Sequence, residues 1–138
     1  MVQIVQNDPE VPPGTVAESL DAMGIVYCVH HPYSGDPLPE VRDVSALIVM
    51  GGAMGANDDL RHPFLYDLKI FIRQIVSAGT PYLGICLGGQ LLAAALGAEG
   101  VSKGRATVVG SDMDESSSPH KSMSRRFSSS NGRPRRVW

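Results

Sequence analysis

Tyr82-Leu83-Gly84-Ile85-Cys86-Leu87-Gly88-Gly89-Gln90-Leu91-Leu92-Ala93-Ala94-Ala95-Leu96-Gly97 is the stretch on which the rest of the chain turns. Tyr82 to Cys86 reads as a buried strand. From Gln90 to Leu96 every residue after the first is apolar, so this part reads as a buried helix, ended by Gly97. Glycines stand two residues before the cysteine and two and three residues after it. A strand that enters a helix through so short a turn needs small neighbours, and it leaves the Cys86 thiol at the tip, as in a nucleophile elbow. There the sulfur meets the positive end of the helix, which favours an anionic thiolate. The Leu87 amide is aimed at any oxyanion formed on a carbonyl that Cys86 attacks.

Working outward, the preceding segments alternate between strand and helix. Val2 to Val5 is a short β-type run stopped by Asn7-Asp8-Pro9. After the Pro12-Pro13-Gly14 turn, Thr15 is placed to cap a helix with Val16, Leu20 and Met23 on one side, and Gly24 stands at its C-terminal end. Ile25 to Val29 reads as a second strand and the proline-bearing segment His31 to Pro39 as loop. Ala46 to Met50 is a continuous apolar run, expected as a strand buried on both faces and ending in Gly51-Gly52. After His62-Pro63, the residues Leu65, Leu68, Ile72, Ile75 and Val76 recur at helical spacing, with Arg73 and Gln74 turned away, until Ala78-Gly79-Thr80-Pro81. Ala106 to Val109 reads as a fifth strand. This alternation predicts right-handed βαβ units and a parallel sheet covered on both faces. Ligands bind such sheets beyond the carboxyl ends of the strands, where Gly51-Gly52 and Cys86 both fall. The Gly51-Gly52-Ala53-Met54-Gly55 turn can offer free amides beside the elbow. It is not a phosphate loop, lacking both Lys-Ser/Thr and GxGxxG.

The whole chain has 138 residues, 43% of them hydrophobic, and a formal net charge of -2, enough for one packed domain. The average hides a split. Residues 1–110 carry 6 basic and 11 acidic groups, whereas residues 111–138 carry 6 basic and 3 acidic groups, nine serines and no Leu, Ile or Ala. Such a terminus cannot bury enough apolar surface to offset the entropy of ordering it, so a domain over 1–110 and a disordered polar tail over 111–138 are expected. Arg125-Arg126 and Arg133-Pro134-Arg135-Arg136, with Phe127 and Trp138, have the composition of a nucleic-acid contact, but a solvated tail is the simpler reading and no nucleic-acid partner is expected. Cys28 and Cys86 lack zinc-ligand spacing. Cys28, at an apolar strand position, is expected to be inert core. With neither a secretory signal nor a bilayer-length apolar run in view, a cytoplasmic protein without a membrane partner is expected.

The residues Gly84 to Ala93 resemble the active-site segment of class I (triad-type) glutamine amidotransferases. Leu47-Ile48-Val49-Met50-Gly51-Gly52-Ala53-Met54 is similar to that family's oxyanion strand. His62-Pro63-Phe64-Leu65 resembles the opening of the next helix in members related to the amidotransferase domain of GMP synthase. The resemblance covers roughly residues 1–110 and implies a flavodoxin-like three-layer α/β fold. It further implies a glutaminase that works through a cysteine thioester, releases glutamate and supplies ammonia to a synthetase domain or subunit, without metal or cofactor. By this match Cys86 is the nucleophile, Gly52 and Leu87 give the oxyanion amides, and Gly51, Gly52, Met54 and Gln90 hold glutamine. The family's general base lies in a downstream His-x-Glu, and none of His30, His31, His62 or His120 stands in that pattern. A truncated or frameshifted gene end is the expected reason for that and for the Ser/Arg-rich terminus. The alternatives are a cysteine hydrolase of the PfpI type and a catalytically dead binding or regulatory module.

Overall fold

The apolar runs form one parallel sheet. The computed structural model describes residues 1–97 and, beyond them, the backbones of three short strands at 106–109, 125–128 and 134–137. Strands β1 (Val2–Val5), β2 (Tyr27–His30), β3 (Ala46–Val49), β4 (Tyr82–Ile85) and β5 (Ala106–Val109) lie in the order β2-β1-β3-β4-β5. Every neighbouring pair is parallel, with Ile4 opposite both Val29 and Ile48, and Val49 opposite Gly84. Helices α1 (Thr15–Ala22), α2 (Phe64–Ser77) and α3 (Leu87–Leu96) follow β1, β3 and β4, whereas β2 crosses to β3 through two short 3-10 turns, Pro32–Ser34 and Val41–Asp43. This is the flavodoxin-like order, in which the chain reverses its direction of travel across the sheet between β1 and β3.

Alternation along the strands sorts the core into two layers. Val5, Leu47 and Val49 point into a cluster with Leu65, Leu68, Ile72, Ile75 and Val76 of α2 and Leu87, Leu91 and Leu92 of α3. Ile4, Ile48 and Met50 point the other way, onto Leu20 of α1. Leu91 and Leu92 are wholly buried, and each such leucine contributes about 1.5–3 kcal/mol relative to exposure. The ends of α1 and α2 are set by Gly24 (φ 67°) and Gly79 (φ 79°). There Ile25 donates back to the Leu20 carbonyl and Thr80 to the Ile75 carbonyl, the six-to-one bond of a Schellman cap.

Several expectations need correction. Gly14, not Thr15, is the N-cap of α1, and Thr15 is already helical. Met23 is exposed rather than packed and stands just past the last helical residue, as the C-cap of α1. The second strand begins at Tyr27, since Ile25 is engaged in capping α1. Helix α3 begins at Leu87, three residues earlier than its apolar run suggested. Cys28 is exposed, not core. It lies on edge strand β2, on the face opposite Tyr27 and Val29, where the neighbouring groups are Gln3 and His30, bonded to each other at 2.7 Å. Within the expected tail, the described part is an antiparallel pair, β6 (Arg125–Ser128) and β7 (Pro134–Val137), and the rest lies outside the described residues. Among the described residues, no helix is long and apolar enough to cross a membrane.

The tightest packing in the sheet is between α3 and the strands under it. A Cβ on Gly84 would stand 2.6–2.7 Å from the Gly88 carbonyl group and the Gly89 nitrogen, and one on Gly88 would overlap the Val49 carbonyl. By contrast Gly55 has open space around it. Gly84→Ala and Gly88→Ala are each expected to lower the melting temperature by at least about 5 °C, in line with the ~1–3 kcal/mol cost of overpacking. Gly55→Ala should leave it unchanged. Differential scanning fluorimetry of the three variants checks this.

Candidate functional site

Three strand ends converge at the carboxyl edge of the sheet: Gln6-Asn7-Asp8 after β1, Met50-Gly51-Gly52-Ala53 after β3, and Cys86 after β4. Cys86 is the sole non-glycine residue with positive φ among the described residues (φ 50°, ψ -108°). The strain of that conformation is what lets the chain pass from β4 to α3 in one residue. Its carbonyl accepts the Gly89 and Gln90 N–H groups at 2.9 and 3.2 Å, so Cys86 is also the N-cap of α3. Leu87, at the first helical position, carries one of the N–H groups that have no partner within a helix.

The residues singled out from sequence lie together. The Cβ position of Gly51 is 3.5 Å from Cβ of Cys86, and that of Gly52 is 3.0 Å from Leu87 Cδ2 and 2.6 Å from Met54 Sδ. Gly52 therefore lies beneath two side chains that any Cβ would push aside. Gln90 is exposed, although most of α3 around it is buried, one turn along from the half-buried Cys86. The histidines go elsewhere. His30 bonds Gln3, His31 stands 3.2 Å from Asp36, and His62 stands 4.0 Å from Asp58 and edge-on to Phe64. Among the described residues none hydrogen-bonds Cys86. His120 lies outside them.

Four supporting residues escaped the sequence reading. Asp8 accepts the Ala53 N–H at 3.0 Å and the Glu10 N–H at 2.9 Å. These two bonds, the Ala53 one foremost, hold its carboxyl below the ordinary value of 3.8. Asn7, wholly buried, donates Nδ2–H to the Met50 carbonyl at 2.6 Å, while its Oδ1 has no partner among the described residues. Tyr82, buried at the start of β4, donates its hydroxyl to the Gly88 carbonyl at 2.7 Å and so ties the first turn of α3 to the sheet. Burial pushes its phenol well above the usual range. Lys69 of α2 bonds the Ala56 carbonyl at 2.9 Å and Asp59 at 2.7 Å, fastening the loop between β3 and α2. A polar Asn7-Asp8 pair directly after an apolar strand was the available signal. Tyr82 gave none, because its partner is a main-chain carbonyl of another element, and Lys69 gave none, because the carbonyl and carboxylate it joins lie 13 and 10 residues away in the preceding loop.

Such a site can present a thiol on a rigid turn and offer N–H groups from two strand ends to one anionic atom. Comparison with known proteins shows the family of the chain. Residues 16–133 match the model of the family described as glutamine amidotransferase class-I, a span that runs past Gly110. Over 80 residues the chain is 42% identical to the imidazole glycerol phosphate synthase subunit HisH of Geobacillus thermodenitrificans, covering 56% of this chain and 34% of that one. A crystal structure of a glutamine amidotransferase from Methylobacillus flagellatus superposes with a TM-score of 0.65 at 44% identity, over 70% of this chain and 38% of that one. Another from Thermotoga maritima gives 0.66 at 28% identity, over 70% and 42%. The chain thus spans well under half the length of these relatives.

Two outcomes follow from the geometry. Tyr82→Phe removes the hydroxyl from the Gly88 carbonyl and should cost about 0.5–1.5 kcal/mol in urea unfolding. The Asp8 carboxyl is depressed on folding. Its contribution to stability is therefore complete above the ordinary value of 3.8 and lost as pH falls through the lower folded value. Asp8→Asn should accordingly lose less stability than the parent as pH falls below 3.8, read from melting temperature against pH.

Proposed function

The chain belongs to the class-I glutamine amidotransferase family, and on that premise we propose that Cys86 is the nucleophile of a glutaminase. The observation that carries this reading is the Cys86 conformation, φ 50° between β4 and α3, with the Gly51–Ala53 loop of β3 against it. The thiolate sulfur attacks the side-chain amide carbon of glutamine. The carbonyl oxygen takes the negative charge and is received by the Gly52 and Leu87 N–H groups, while Gly51, Met54 and the exposed Gln90 hold the rest of the substrate. Collapse of this adduct breaks the C–N bond, and ammonia leaves once its nitrogen has gained a proton. The γ-glutamyl thioester left behind is cleaved by water to glutamate and free thiol. Ammonia passes to a synthase partner, a reading supported by the relative that is itself named as a synthase subunit.

Both proton transfers need a positioned acid-base group. No His-x-Glu follows Cys86 in these 138 residues, and no described histidine is bonded to the thiol. General acid-base groups typically contribute 10²–10⁴-fold, so turnover by this chain alone is slower than in a family member with the full set by about that factor. The experiment is steady-state ammonia release with Cys86→Ala as the blank, together with labelling by a glutamine-shaped chloromethyl ketone, in which the thiolate displaces chloride. Slow Cys86-dependent ammonia release with saturable labelling at Cys86 is expected. The ketone should spare Cys28, whereas iodoacetamide, which needs no binding site, should reach the exposed Cys28. Labelling that fails to saturate, or that falls mainly on Cys28, would favour the reading as a catalytically dead module.

A further inference from the structure

The loop after β3 contains consecutive glycines, Gly51 and Gly52, beside Cys86 and Leu87. Two glycines leave four soft backbone dihedrals there, each with the widest range available to any residue. Peptide planes are rigid, so fixing any atom of a plane restrains all of it. The plane joining Met50 to Gly51 is fixed at its carbonyl by Asn7 Nδ2 at 2.6 Å. The plane joining Gly52 to Ala53 is fixed at its N–H by Asp8 Oδ2 at 3.0 Å. Between them remains a single plane, the one that carries the Gly52 N–H, which makes no hydrogen bond among those described.

We propose that Asn7 and Asp8, at the carboxyl end of β1, are positioning residues that clamp the planes on either side of the Gly52 N–H and hold that donor in place for the reaction. The proposal rests on the glutaminase reading above. Asp8 is itself oriented through its other oxygen, Oδ1, which accepts the Glu10 N–H at 2.9 Å and so restrains the carboxylate that holds Ala53. Asn7 leaves its Oδ1 buried without a partner among the described residues, so of its two polar groups only the Nδ2–H is in use there. A leucine of similar size would fill the same space with no unpaired acceptor. What leucine lacks is the N–H that holds the Met50 carbonyl.

The test uses Asp8→Asn and Asn7→Leu in the 138-residue chain, with three readouts. Amide hydrogen exchange at Ala53, followed by NMR, should accelerate at least about tenfold in Asp8→Asn; unchanged exchange overturns the clamp whatever the chemistry of Cys86. For the glutamine-shaped chloromethyl ketone, kinact should fall in both variants toward the ~10²–10³-fold seen when one oxyanion donor is lost, with KI changed far less. Iodoacetamide should react with Cys86 at the parent rate, because that reagent makes no use of the loop. Unchanged kinact overturns the proposal. So does an equal fall in both labelling rates that tracks a lower melting temperature, since that marks general loosening of the elbow. Absence of saturable ketone labelling in the parent sinks the glutaminase reading instead, and the Ala53 exchange result then still decides whether Asp8 holds the loop.

Discussion

Where Gly88 meets Gly84 and Val49, helix α3 approaches the sheet so closely that no side chain fits between them. Gly84 in the strand and Gly88 in the helix face main-chain atoms of each other and of Val49, at distances a single Cβ would violate. That contact fixes where α3 begins and therefore which residue turns the corner. Cys86 takes the strained φ of 50° because the helix must start at Leu87 to stay in register with the two strands below it. The Tyr82 hydroxyl on the Gly88 carbonyl adds a polar tie to the same contact. Everything else at the site is placed relative to this corner.

The second constraint is the order of the strands. With β3 between β1 and β4, the loop after β3 is hemmed by the thiol on one side and by Asn7 and Asp8 on the other. The loop gains from both neighbours, since it can be glycine-rich while its ends are held by fixed donors and acceptors. Its far end is secured separately by Lys69, which reaches from α2 to the Ala56 carbonyl and Asp59. A flexible sequence is thereby made into a fixed surface by groups that take no part in the chemistry. Strain at Cys86 and close contact at Gly84 and Gly88 give the edge of the sheet a fixed shape before any ligand arrives.

Much of this was legible along the chain. Continuous apolar runs such as Ala46 to Val49 marked strands buried on both faces, and the spacing of Leu65, Leu68, Ile72 and Ile75 marked the face that α2 turns to the core. The glycines around Cys86 announced the turn, and the fold of the family follows from that segment with its neighbour Gly51-Gly52. Cys28 was misread because apolar neighbours in sequence say nothing about whether a strand lies at the edge of its sheet, and β2 does. The start of α3 was misplaced because periodicity sees the apolar positions Leu91 to Leu96, not the close backbone contact that forces the helix to begin three residues before Gln90.

The sequence by itself determined the alternation of strands and helices, the parallel sheet and the strand-end position of the thiol, because these depend on local preference and on periodic burial. Only the tertiary structure decided which strand ends meet. Asn7 and Cys86 are far apart in the chain, and the partners of Asn7, Asp8 and Tyr82 are main-chain atoms of Met50, Ala53 and Gly88. A backbone carbonyl or N–H leaves no trace in residue identity. The groups that hold the site in shape therefore become visible only when the sheet brings its strand ends side by side.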